Sequence, residues 1–374
     1  MTGQPLPRPL VDLGWGGPFE ALFGEHAGAG REPGRVVASH RETSIVGLGD
    51  TAVAGHVSGR FRRDALGLSG YPAVGDWVVV EARRPERSAT IHAVLERRSA
   101  IVRTAGDSTR RGTGRSADEQ VLAANVDVAL LVAAIDRPVN LRRLERYVAM
   151  AWSSGATPVV LLNKADASDD VTGAVAAVVA SAPGVDVLPI SARSGAGLAA
   201  VSEHLGAGRT AVVLGPSGVG KSTLLNALLG TDRQATHDVR AADGRGRHTT
   251  THRELFRLPT GALVIDTPGI RSLELHDADE GISAAYADVD ALAATCRFPD
   301  CSHGPEPGCA VRAALADGRI DADRWAGYQK LRREAAHAAR QADRLAREAE
   351  RRRWATISRS VKGHMRAKYG EAYR

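Results

Sequence analysis

Between residues 35 and 94 short β-branched apolar runs alternate with glycine-bearing turns. The runs are Arg35-Val-Val-Ala38, Thr43-Ser-Ile-Val46, Ala52-Val-Ala-Gly-His-Val57, Asp76-Trp-Val-Val-Val80 and Ala89-Thr-Ile-His-Ala-Val94. Runs of this length, bounded by turn residues, predict strands. Five of them predict a small barrel, and both an OB-fold and an SH3-like barrel fit the pattern. From residue 126 the pattern changes to nearly continuous apolar stretches at 126–135, 158–162, 185–189, 210–214 and 262–265. Those predict the buried strands of a parallel α/β sheet. The run Thr223-Leu-Leu-Asn-Ala-Leu-Leu229 continues as a helix closed by Gly230. A later helix is predicted from Trp325 to about Arg353, where Leu331, Ala335, Ala338, Ala342, Leu345 and Ala349 recur at helical spacing.

The 374 residues allow two or three domains. The expected division is an N-terminal tail over 1–34, rich in Gly and Pro and partly disordered, a β-barrel over 35–103, and a flexible polar linker over 104–120. An α/β domain follows over 121–275, then a metal module over 276–319 and a basic helical tail over 320–374. Net charge is +6, but residues 330–374 hold 14 Lys/Arg against 5 Asp/Glu, a balance of +9, so the rest sums to −3. Basicity concentrated in one segment favours an acidic partner such as RNA. Arg340, Arg344, Arg347 and Arg351 on the predicted helix are candidate contacts, the alternative being a solvated amphipathic face. His40, Arg41, Arg60, Arg62 and Arg63 on the barrel are weighed in the same way. No stretch is long and apolar enough to span a membrane, and no charged leader with an apolar run opens the chain. The expectation is a cytoplasmic protein, working as a monomer.

Chemistry concentrates at the ends of the α/β strands. Gly215-Pro216-Ser217-Gly218-Val219-Gly220-Lys221-Ser222 fits G-x-x-x-x-G-K-[ST] between the predicted strand and helix. Its backbone N–H groups cradle phosphates, Lys221 offers a charge to the β- and γ-phosphates, and Ser222 offers a hydroxyl to Mg²⁺, with Thr223 next in line. Asn163-Lys164-Ala165-Asp166 ends the strand at 158–162, where open α/β sheets bind ligands. The Asp166 carboxylate can accept two parallel N–H bonds from guanine, a pair that adenine lacks. Ser191-Ala192 ends the next strand and offers backbone N–H groups to the guanine oxygen. Asp266-Thr267-Pro268-Gly269 follows the last strand, with Asp266 for Mg²⁺ through water and the Gly269 N–H for the γ-phosphate. The residue after it is Ile270, which cannot orient water as a Gln would. In Gly244-Arg-Gly-Arg-His-Thr-Thr-Thr251, Thr249 or Thr250 can give a second hydroxyl to Mg²⁺. His248 is the candidate to position water, or else a loop histidine without chemistry. The base motif precedes the phosphate loop, the reverse of the common order, which implies a circularly permuted P-loop GTPase domain.

All three cysteines fall between 296 and 309, and Cys296, Cys301, His303 and Cys309 offer three thiolates and an imidazole, a closed zinc set. A segment so rich in Pro and Gly needs its metal to fold. The odd cysteine count disfavours a disulfide.

The motif order, the His-Thr-Thr loop, the apolar residue after Gly269 and the cysteine cluster together resemble the ribosome small-subunit-dependent GTPase A family of bacteria, over nearly the whole chain. The resemblance implies an N-terminal OB-fold, a permuted GTPase domain and a C-terminal zinc domain. It also implies one structural Zn²⁺, Mg²⁺ with GTP, and binding to the small (30S) ribosomal subunit and its rRNA in late maturation, with hydrolysis stimulated by the subunit before release. A GTP-controlled RNA-binding scaffold with incidental hydrolysis is the alternative. An ATP-dependent kinase or ATPase is a third reading, which Asp166 disfavours.

Overall fold

The computed structural model describes residues 8–28, 30–40, 43–65, 68–104, 119–231, 253–267, 279–304, 306–336 and 339–340. The barrel comprises β1 (Arg31–His40), β2 (Thr43–Gly47), β3 (Ala52–Val57), β4 (Trp77–Arg83) and β5 (Ser88–Val94). They lie in the order β1-β2-β3-β5-β4, and β4 returns to β1, so the barrel closes. The β3–β5 contact is parallel and the other four are antiparallel. This arrangement is OB-like, which decides between the two barrel types left open by the strand pattern. One strand serves two neighbours: residues 31–35 of β1 pair with β4, and 35–40 with β2, across a bulge between Val36 and Ala38. A bulge bends its strand and sharpens the twist, as closure requires.

Val36, Val46, Val53, Val78, Val80 and Ile91 fill the barrel. Every residue from Trp77 to Val80 is buried because the outer face of β4 is covered as well. Leu10, Trp15 and Phe19 pack there against Trp77 and Val79. The 1–34 tail is therefore corrected: helices Arg8–Val11 and Pro18–Gly24 sit on the barrel, and β1 begins at Arg31. Residues 1–7 lie outside the described residues. The expected linker is also narrower than 104–120. Thr104 ends β6 (Ala100–Thr104) and Glu119 opens β7 (Glu119–Ala124), an antiparallel pair, and 105–118 lie outside the described residues.

The α/β sheet contains β8 (Val128–Ala134), β9 (Thr157–Asn163), β10 (Asp186–Pro189), β11 (Thr210–Leu214), β12 (Arg253–Arg257) and β13 (Leu263–Asp266). Its order is β10-β9-β8-β11-β13-β12, all parallel except β12. The continuous apolar runs have a physical cause. Val128, Leu130 and Val132 of β8 face one core, while Ala129 and Leu131 face the other. Chain order reverses between neighbours β8 and β11, so the crevice at their carboxyl ends is a topological switch point. At the far side β12 pairs with β1, Ala38 opposite Glu254 and Ser39 opposite Arg253, making barrel and α/β sheet one eleven-stranded sheet.

Helix Leu141–Ser153 covers one face of this sheet. Helix Asp279–Ala285 packs on it, followed by Ala287–Ala293, Ala310–Ala316 and a helix over 322–336. That last helix begins three residues before the expected Trp325, and its described part is not a free tail. Leu331 and Ala335 are buried, and Arg324 donates to Glu145, Asp288 and the carbonyls of Ser181 and Ala285. Arg344, Arg347, Arg351 and the chain beyond 340 lie outside the described residues. No helix among the described residues is long and apolar enough to cross a membrane.

Candidate functional site

The phosphate loop leaves β11 at Leu214 and enters helix Lys221–Leu229, which closes on Gly230 with φ 66° as the sequence predicts. Within the loop Val219 is buried while Ser217 and Gly218 face solvent. Lys221 Nζ donates to the carbonyls of Gly215 and Pro216, both at 2.8 Å, so its ammonium sits within the turn of the loop. Burial lowers the Lys221 pKa, opposed by the charge of Asp266. Asp266 ends β13 and is 8 % exposed; burial raises its pKa, opposed by Lys221. Each of these charges stands in a dry site beside the other, where a polyphosphate and a cation would complete the balance. Thr267 donates its hydroxyl to the Val213 carbonyl, fixing the turn after Asp266 beside β11.

Asn163 ties the base side to the phosphate side. Its Nδ2 donates to the Val219 carbonyl at 2.8 Å, and its Oδ1 accepts the Ala192 N–H at 2.9 Å. Three loops, separated by 56 and 29 positions in sequence, are thus held by one buried amide. Gly220 makes this possible. Its φ is +94°, and a Cβ there would lie 2.4 Å from Asn163 Nδ2. The Ser191 and Ala192 N–H groups, expected as donors to a guanine oxygen, are instead committed inside the protein, to the Ala196 carbonyl and to Asn163. Asp166 is exposed, and a hydrogen bond from the Ser191 hydroxyl holds its pKa below the ordinary carboxylate range. It is an ionised acceptor at the lip of the crevice. Lys164, with φ 66°, turns its ammonium onto Asp136 at 2.6 Å. The sequence reading missed Asp136. The available signal was a carboxylate placed directly after a buried apolar run, as Asp266 is. Gly269, His248 and Thr250, with the rest of 232–252 and 268–278, lie outside the described residues.

The metal cluster is assembled. Cys296, Cys301, His303 and Cys309 bring their donor atoms within 4.8 Å of one another. Cys296 Sγ and Cys309 Sγ are each 3.6 Å from His303 Nδ1 and 4.0 Å apart. Bond lengths of about 2.0–2.3 Å to a tetrahedral zinc give edges of about 3.3–3.8 Å; the two Sγ–Nδ1 distances meet this and the Sγ–Sγ distance exceeds it by a few tenths of an ångström, so the set would fit that metal after a small contraction. Backbone N–H groups of His303 and Arg312 donate to Cys301 Sγ and Cys309 Sγ, both at 3.4 Å. Trp325 meets the His303 ring edge-on at 5.5 Å and fixes its orientation.

A parallel sheet with a phosphate loop at its switch point, and its base loop earlier in the chain, defines a circularly permuted P-loop GTPase. The comparisons agree. A family described as RsgA GTPase matches residues 94–276. A protein from Opitutus terrae named "Small ribosomal subunit biogenesis GTPase RsgA" is 47% identical over 358 residues, covering 93% of this chain and 95% of that protein. Among solved structures, YjeQ from Thermotoga maritima matches with a TM-score of 0.58 and 26% identity, over 80% of this chain and 97% of that one. YloQ, described as a circularly permuted GTPase, shares the fold with a TM-score of 0.56 at 24% identity, over 85% and 98%. The chain belongs to the RsgA GTPase family, and is a GTP-hydrolysing enzyme.

Proposed function

We propose that this GTPase acts in late maturation of the small ribosomal subunit, binding the subunit in the GTP state, hydrolysing GTP under its stimulation, and then dissociating. The observation that carries the reading is the preformed crevice in which Asn163 locks Val219 to Ala192 beside Lys221, in a chain so like a protein named for small-subunit biogenesis. In this reading Gly215 to Thr223 cradle the phosphates and Lys221 neutralises them. Asp166 reads the guanine edge, while Asn163, Lys164, Ala165, Ser191 and Ala192 shape the base pocket. Asp266 and Gly269 sense the γ-phosphate, and His248 positions the attacking water. The buried carboxylate of Asp266, close enough to Lys221 to feel its charge, suits a divalent cation. Ser222 and Thr250 would hold Mg²⁺, which when bound neutralises charge on the β- and γ-oxygens. Cys296, Cys301, His303 and Cys309 would hold one structural Zn²⁺. The barrel, the zinc module and the basic tail would face rRNA.

The experiment is GTP turnover with and without purified small subunits. Stimulation supports the reading. Turnover that the subunit leaves unchanged would favour the GTP-controlled scaffold.

A further inference from the structure

Beside the phosphate loop a cleft of about 210 Å³ opens between the end of β8 and the first turns of helix Leu141–Ser153. Pro216 and Val219 of the phosphate loop form one wall. Tyr147 lines it at 8 % exposure, and no described residue partners its hydroxyl. The ring packs into an otherwise apolar wall, and the hydroxyl has both its donor and its acceptor capacity to offer to a molecule in the cleft. Arg137 and Arg143 stand at the rim without ion-pair or hydrogen-bond partners for their guanidinium groups among the described residues. Their neighbours differ. Arg142 is paired with Asp323 and Arg146 with Glu334, while Asp136, beside Arg137 in sequence, is taken by Lys164, and Glu145, two positions from Arg143, by Tyr286 and Arg324. The positive end of a thirteen-residue helix opens at the same place, with Asn140 as its cap.

The geometry points to a second binding site here, for a small free anion that carries one phosphoryl or carboxylate group on a compact apolar body. The two guanidinium groups take the anionic head, the Tyr147 hydroxyl bonds it or an adjoining oxygen, and the apolar wall takes the body. Because the Val219 carbonyl accepts from Asn163, the cleft wall and the base loop share one hydrogen-bonded frame. Occupancy therefore alters nucleotide release. The inference rests on the GTPase reading only for what fills the neighbouring site.

The test uses the full chain saturated with GDP and Mg²⁺, so that the phosphate loop itself is filled. Phenyl phosphate and benzoate are titrated calorimetrically in separate arms, which separates a phosphoryl from a carboxylate preference. The release rate of a fluorescent GDP analogue is followed with each. The expected result is saturable binding of at least one probe and a changed release rate. Arg143→Gln should weaken binding about tenfold or more, as loss of a charge-assisted contact does. Arg143 is exposed and Tyr147 has no bond to lose, so Arg143→Gln and Tyr147→Phe should both fold and keep their GDP affinity. Absence of saturable binding of both probes, binding undiminished in a variant carrying both Arg143→Gln and Tyr147→Phe, or release that neither probe changes would each overturn the site. Failure to bind GDP at all would instead overturn the GTPase reading.

Discussion

Two residues of one motif do different physical work. Asn163 is buried and holds both the Val219 carbonyl and the Ala192 N–H, while Asp166 is exposed and bonds only at the crevice lip. Asn163→Ala should orphan two buried backbone groups, at about 1–3 kcal/mol each. Thermal stability and affinity for GDP and GTP should fall together. Asp166→Asn should leave the melting temperature unchanged and weaken GTP relative to xanthosine triphosphate. Paired melts and nucleotide titrations check both, and an Asn163→Ala protein of unchanged stability would contradict the bridging role. The pH dependence has a definite sign. The folded pKa of Asp166 is lowered by the Ser191 hydroxyl, so its ionised form persists above the ordinary carboxylate value of about 3.9 and is lost only as pH falls through a lower one. The loss of GDP affinity caused by Asp166→Asn should therefore be the same at pH 8 and at about pH 5, measured by titrating both proteins at each pH.

At the scale of elements, the close approach of helices Leu141–Ser153 and Asp279–Ala285 depends on Gly281. A Cβ there would lie 2.0 Å from Ser153 Oγ and 2.3 Å from the Ala149 carbonyl. Gly281→Ala should push the helices apart at about 1–3 kcal/mol, lowering the melting temperature. The metal module should respond separately. Chelation should raise hydrogen exchange over 296–312, because Cys309 Sγ also caps helix Ala310–Ala316 through the Arg312 N–H. GDP affinity should be unaffected, and protected amides after chelation would contradict a structural metal. The elements that were legible in the sequence are those with a strong period or a continuous apolar run: the five barrel strands, the five parallel strands and the phosphate-loop helix. β12 was not, because Arg-Glu-Leu-Phe-Arg has only two apolar residues and owes its place to neighbours on both sides. The N-terminal helices were hidden by Gly and Pro around Leu10, Trp15 and Phe19, which have meaning only against Trp77. The four candidate metal ligands were legible because they are close in sequence. Asn163 was legible as a motif letter, but its bond to Val219 was not, since partners 56 positions apart leave no local trace.

Across the whole molecule several contacts among the described residues join the barrel to the nucleotide domain, including Ala124 N–H and Asn125 Nδ2 donating to the Val74 and Gly75 carbonyls. One is the short β1–β12 ladder at Ala38 and Ser39. Another is Arg35, 2 % exposed, which donates to the carbonyls of Gly75, Leu13 and Asn125 and to Thr210 Oγ1, with its guanidinium 5.3 Å from the Trp77 ring centre. Burial lowers its pKa to about 10, opposed by Asp127, so the cation is intact at neutral pH. Thr210 opens β11, the strand that carries the phosphate loop. A single cation thus clamps the barrel, the N-terminal segment and the root of the nucleotide site. Arg35→Met keeps the apolar stem but leaves these acceptors without their donor, at roughly 3 kcal/mol or more. Wild-type protein should melt in one cooperative transition, since neither part can move without breaking the clamp. The Arg35→Met protein should melt in two. GDP with Mg²⁺ binds only the nucleotide domain, so it should raise the transition of that domain and leave the barrel transition in place. Calorimetry with and without nucleotide reads both. A single transition in the variant, moved as a whole by GDP, would show that the remaining contacts, the β1–β12 ladder among them, suffice to couple the parts, and that Arg35 is not the clamp.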